Sequence, residues 1–118
     1  MARSTILLVE DRDVAVLLQR VLTSAGYRVL VCRSGAQALQ ICKRLASRIE
    51  LVLTAFALPD TDGAALVVQL KTDHPHLKII GMSVHQANAA RFAACGVPFL
   101  RKPFNFAELM ARIREVIA

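Results

Sequence analysis

Short apolar runs alternate with segments of helical period from one end of this 118-residue chain to the other, and a chain built that way has few folds open to it. The runs read as strands over Thr5–Val9, Arg28–Cys32, Leu51–Thr54, Lys78–Met82 and Phe99–Leu100. Each is brief and apolar almost throughout, the pattern of a strand covered on both faces. Between them, Val14, Leu17, Leu18, Val21 and Leu22 form one stripe at i, i+3, i+4 spacing, stopped by Gly26. Ala38, Leu39, Cys42 and Leu45 repeat the pattern in a second helix, and Leu66, Val67 and Leu70 in a third that Asp62-Gly63 opens and His74-Pro75 closes. A short Ala-rich fourth helix lies around Ala87–Ala94. The last helix has Asn105 as N-cap and Glu108 three residues on, a capping-box variant, with Phe106, Leu109, Met110, Ile113 and Ile117 on one face. Strands and helices that alternate throughout imply right-handed crossovers, hence an open doubly wound α/β sheet of five parallel strands with helices on both faces.

Composition agrees with that class. Hydrophobic residues make up 55% of the chain and aromatic ones 5%, so the apolar mass is aliphatic, as a buried parallel sheet requires. The size suits one domain over residues 1–118 without a linker. The longest nearly apolar run, Leu51–Leu58, is too short to cross a bilayer, and the N-terminus passes from Arg3 straight into a strand without signal-peptide layout. A cytoplasmic protein with no membrane insertion is expected.

Cys32, Cys42 and Cys95 cannot all pair within the chain and show no ligand spacing, so they read as buried reduced thiols. His74, His76 and His85 fall in or beside loops, without the helical i, i+4 pairing of a zinc site. Lys and Arg outnumber Asp and Glu by 15 to 9, a net charge of +6. Those charges are scattered without a basic stripe or aromatic context, which speaks against nucleic acid as a partner of this domain alone.

In doubly wound sheets, ligands sit outside the carboxyl ends of the strands. The residues there are Glu10 and Asp11 after the first strand, Ala55 after the third, Ser83 after the fourth, and Lys102 before Pro103 at the end of the fifth. They are expected to converge in one crevice. Two acids make a poor cradle for a bare phosphate, and neither GxGxxG nor GxxxxGK[ST] occurs, so nucleotide and flavin readings are disfavoured. Acids beside a hydroxyl and a lysine suit a hard divalent cation that bridges them to a phosphoryl group.

Four segments carry a resemblance. Ile6-Leu-Leu-Val-Glu-Asp11, Leu51-Val-Leu-Thr-Ala-Phe-Ala-Leu-Pro-Asp-Thr-Asp-Gly63, Ile79-Ile-Gly-Met-Ser83 and Phe99-Leu-Arg-Lys-Pro-Phe104 resemble, in order and over nearly the whole chain, the receiver domain of two-component response regulators. Taken singly, Asp11 reads as a helix-start charge, Ser83 as a strand-end hydroxyl and Phe99 as core; the specificity lies in their joint placement. The resemblance implies a flavodoxin-like, CheY-like sheet of order 2-1-3-4-5 in a phosphorelay protein that is not an enzyme. It makes Glu10 and Asp11 the acidic pair that helps hold Mg2+, Ser83 the switch hydroxyl, Lys102 the phosphate-contacting lysine and Phe99 the switch aromatic. The partners it implies are a histidine kinase, an output domain or another signalling protein, with a homodimer compatible.

The pattern breaks at the residue where that family carries its phosphoacceptor aspartate, for the count through Leu51 to Pro59 puts Ala55 there. A methyl group cannot attack phosphorus and gives no oxygen to a metal, so the Mg2+ site is expected to be weak. Thr54 is no substitute, because strand side chains alternate and its hydroxyl points away. Between Ser83 and Lys102 the chain is also about three residues shorter than the family habit, close to one helical turn. That shortening falls on the fourth helix, part of the surface through which receivers commonly signal and pair. Two readings follow. One is a phosphorylation-independent receiver that acts by protein contact; the alternative is an ordinary Mg2+-dependent phosphoacceptor whose aspartate has been exchanged for Ala55. The shortened helix and the basic charge favour the first.

Overall fold

A computed structural model describes residues 4–117; Arg3, read above as leading into the first strand, and Ala118 lie outside the described residues. In chain order the elements are β1 (Thr5–Val9), α1 (Arg12–Ser24), β2 (Arg28–Cys32), α2 (Gly35–Leu45), β3 (Leu51–Ala55), α3 (Gly63–Asp73), β4 (Lys78–Ser83), α4 (Asn88–Ala94), β5 (Phe99–Arg101) and α5 (Phe106–Ile117). The five strands are parallel in the order β2-β1-β3-β4-β5, as the alternation and the resemblance imply. β3, β4 and β5 each run one residue further than the apolar pattern, because the ladder pairs Ala55 with Met82 and Ser83 with Arg101.

Strand alternation divides the interior in two. Ile6, Leu8, Leu51, Leu53, Ile80 and Met82 pack against Ala15, Leu18 and Leu22 of α1 and Leu109, Met110 and Ile113 of α5. Leu7, Val9, Val52 and Ile79 turn to the other face, toward α2, α3 and α4. Two residues of the predicted stripes stay outside: Leu17 is 66% exposed and Phe106 56%. The buried line on α1 runs through Ala15, Leu18 and Leu22, which leaves Leu17 at its edge; Phe106 opens α5 before that helix reaches the sheet. β2 is an edge strand and only partly covered, unlike the fully buried β1 and β3.

The helix starts are fixed by side chains that accept from otherwise unpaired N–H groups. Asp11 caps α1, Ser34 caps α2 and Asp62 caps α3, while Asn105 accepts from the Glu108 N–H at 2.8 Å. After α1 the chain turns at Gly26 with φ near 101°, a conformation that favours glycine. No helix among the described residues is long and apolar enough to cross a membrane.

Candidate functional site

The crevice is assembled by register. Val9 lies opposite Thr54, so Glu10 and Ala55 leave β1 and β3 at the same level. Ladder-like bonds continue past the strands, from the Glu10 N–H to the Cys32 carbonyl at 3.1 Å and from the Lys102 N–H to the Ser83 carbonyl at 2.9 Å. By alternation, Glu10, Ala55 and Lys102 follow Leu8, Leu53 and Leu100, all on the α1/α5 face. Lys102 Nζ makes a close ion pair with Glu10 Oε2. Since β3 and β4 lie between β1 and β5, this contact passes over their carboxyl ends, where Ala55 sits.

Glu10 is nearly inaccessible, with its side chain 3% exposed against 17% for Lys102. A buried carboxylate needs its oxygens satisfied. Oε1 accepts from the Asp11 N–H at 3.1 Å and Oε2 from Lys102, so both are. Asp11 is exposed and spends Oδ1 on the α1 N-terminus, accepting from Asp13 at 3.0 Å and Val14 at 3.3 Å. Among the described residues no group of three or more His, Cys, Asp or Glu side chains is arranged to hold a metal ion. The donors therefore fit a hard divalent cation poorly: Glu10 is already paired with a cation, and Asp11 is a helix cap.

Ser83 follows Ile79 and Gly81 toward α3 and α4. Its Oγ accepts from the His85 N–H at 3.0 Å and from Asn88 Nδ2 at 2.9 Å, which commits the hydroxyl to the start of α4. The convergence expected from the sequence thus holds for Glu10 and Lys102 in direct contact with each other, whereas Ser83 is engaged elsewhere. Phe99 is half-buried and stacks on Phe92, with ring centroids 6.1 Å apart. Thr54 is fully buried and its hydroxyl donates to the Ala55 carbonyl at 3.0 Å.

Several contacts around the crevice escaped the sequence reading. Asp60 reaches across to α2, accepting from Gly35 with Oδ1 and from Ala36 with Oδ2, both at 2.9 Å. Those N–H donors, Ala36 first, hold its carboxyl below the usual carboxylate range. Asp62 caps α3 with Oδ1 and meets Arg91 of α4 with Oδ2 at 3.2 Å, and Arg91 also lies 5.1 Å over the Phe56 ring. Asp-x-Asp-Gly ahead of an apolar helix signals a cap, but nothing in the order of residues names the α4 arginine as its second partner. Of the thiols, Cys32 and Cys42 are buried, and burial pushes each up to about 11. Cys95 is only partly covered, because α4 ends there at the surface.

Comparison with known proteins bears on this arrangement. The family model described as response regulator receiver domain matches residues 6–114. The chain is 36% identical to sensor kinase CckA of Brucella abortus (strain 2308), over 97% of this chain and 12% of that protein. A receiver domain structure from Clostridium thermocellum superposes with a TM-score of 0.89 at 25% identity, covering 97% of this chain and 94% of that one. The receiver domain of sensor histidine kinase PA1611 from Pseudomonas aeruginosa PAO1, a structure with a magnesium ion coordinated in its active-site cleft, gives 0.87 at 30% identity and covers 98% of each chain. The chain spans 12% to 48% of the length of the curated relatives it matches.

Proposed function

Because the chain belongs to the response regulator receiver domain family, a module of two-component signalling that works with histidine kinases and output domains, we propose that it is an atypical receiver, signalling in the cytoplasm by protein contact and without phosphorylation. Residues 1–118 form one such domain. Ala55 stands at the phosphoacceptor position, Glu10 and Asp11 are the remnant of the metal-binding pair, and Lys102, Ser83 and Phe99 correspond to the phosphate contact and the switch residues.

The observation that carries this reading is the residue closing β3. It stands level with Glu10 on the face where Glu10 and Lys102 meet, and its side chain is a methyl group. Phosphoryl transfer to a receiver needs an oxygen nucleophile there. The Thr54 hydroxyl donates to a backbone carbonyl, and the Ser83 hydroxyl accepts from Asn88 of α4. The face built from α4, β5 and α5, with Arg101 exposed on it, is the proposed contact surface. Arg91, also on that face, is partly used within the molecule.

Incubation with a small phosphodonor and Mg2+, followed by intact-mass analysis, tests the reading. No stable phosphorylated species is expected. A phosphoryl group mapped to Thr54, Asp60 or any neighbour of Ala55 would show that the chain has another acceptor.

A further inference from the structure

We propose that Lys102 is the resident cation of this crevice: its ammonium, paired with the buried Glu10, takes the place of a divalent metal, so that the fold of this chain is independent of Mg2+. The inference rests on reading residue 55 as a site without a carboxylate and goes beyond it, since a receiver that is not phosphorylated could still bind the metal.

Charge and geometry point the same way. A hard divalent cation is held in proportion to the number and charge of its oxygen ligands. Here the acids are Glu10 and Asp11, and one of the two negative charges is already neutralised by Lys102. A divalent ion at Glu10 would have to displace the ammonium or sit beside it against like-charge repulsion. It would also compete for Oε1, which holds the Asp11 N–H, and for Asp11 Oδ1, whose withdrawal would uncap α1. No third carboxylate stands at β3, and the Ala55 carbonyl already accepts from Thr54. Glu10 is buried, so its charge needs a partner. An ammonium tethered to the chain meets that need at any ion concentration.

The test uses Mn2+ as a paramagnetic probe of the isotopically labelled chain and MgCl2 in thermal unfolding, against NaCl of equal ionic strength. For the unaltered chain, millimolar Mn2+ is expected to leave the amides of Glu10, Asp11 and Phe56 no broader than the rest, and Mg2+ to leave the Tm in place. Lys102→Met uncovers the buried carboxylate: the Tm falls, Mn2+ now broadens those amides selectively, and Mg2+ recovers part of the Tm. The double variant Glu10→Gln/Lys102→Met is expected to be more stable than Lys102→Met and silent to both ions. Selective broadening of the unaltered chain overturns the proposal, and so does a Lys102→Met variant that folds but responds to neither ion. If that variant does not fold, the titration of the unaltered chain decides alone. Phosphoryl uptake by the unaltered chain would overturn the functional reading, whereas metal binding without it would overturn the resident cation and leave that reading standing.

Discussion

Asp60 shows how much one side chain governs near the crevice. Its two oxygens tie the loop after β3 to the first turn of α2, and the close approach leaves no room at Gly35, where a Cβ would come within 2.5 Å of Thr61 Cγ2. Because its folded pKa lies below the ordinary carboxylate value, its stabilising contribution is complete above that ordinary value and fades as pH falls through the depressed one. Asp60→Asn is therefore expected to lower the Tm near neutrality and to leave less of the remaining Tm loss on acidification; equal acid sensitivity of the two proteins would refute the latch. At Ala55 a carboxylate is added rather than removed. Ala55→Asp sets a third acid beside Glu10 and Asp11 with one lysine to share, so without metal the variant should lose about 1 kcal/mol. Mg2+ should restore it, since a ligand of the folded state stabilises by mass action, and a small phosphodonor should then add one phosphoryl group by mass. Lys102→Ala in that background should weaken the uptake. Absence of both responses would mean that the crevice serves as scaffold alone.

Phe92 is the residue on which α4 depends, though the helix reads from sequence as little more than a run of alanines. It is fully buried. Its ring meets Phe56 edge-on at 5.7 Å and stacks on Phe99. It occupies the space a side chain at Gly81 would fill, for a Cβ there would lie 2.4 Å from the ring; at Gly63 a Cβ would strike the Ala55 carbonyl at 2.3 Å. Two glycines thus let a seven-residue helix seat a large ring between α3 and β4. The ion pair from Arg91 to Asp62 is exposed, and pairs of that kind contribute less than about 1 kcal/mol. Phe92→Ala is expected to cost about 3–5 kcal/mol in urea unfolding and to strip hydrogen-exchange protection from α4 before α1. Equal loss in both helices would mean that the ring supports the whole sheet rather than this one element.

The two interior clusters share strands: β1, β3 and β4 supply side chains to both, so neither half can lose its helices without exposing strands the other needs. A single cooperative transition follows. The chain has no Trp, and Tyr27 packs against the α1/α5 cluster while Cys42 lies in the other. Tyr27 fluorescence, far-UV circular dichroism and pulsed thiol labelling of Cys42 should give one coincident urea midpoint. Earlier exposure of Cys42 would reveal a separately melting half.

Much of this molecule is local in origin, and local information is written in residue order. Apolar runs of strand length, stripes of helical period, and Asp11, Asp62 and Asn105 ahead of helices yield the elements and the doubly wound class, and the motifs at the strand ends yield the family. These depend on backbone geometry and on side-chain chemistry within a few positions. What the order of residues left open depends on which strands become neighbours. The Glu10–Lys102 pair joins residues that are 92 positions apart; Asp60 finds its donors 24 and 25 positions away on α2, and Ser83 Oγ accepts from Asn88 of α4. Periodicity likewise placed Leu17 and Phe106 in the apolar stripes of α1 and α5, yet both are largely exposed. A carboxylate, a hydroxyl or an ammonium accepts any partner of suitable charge within reach, and reach is set by the folded sheet.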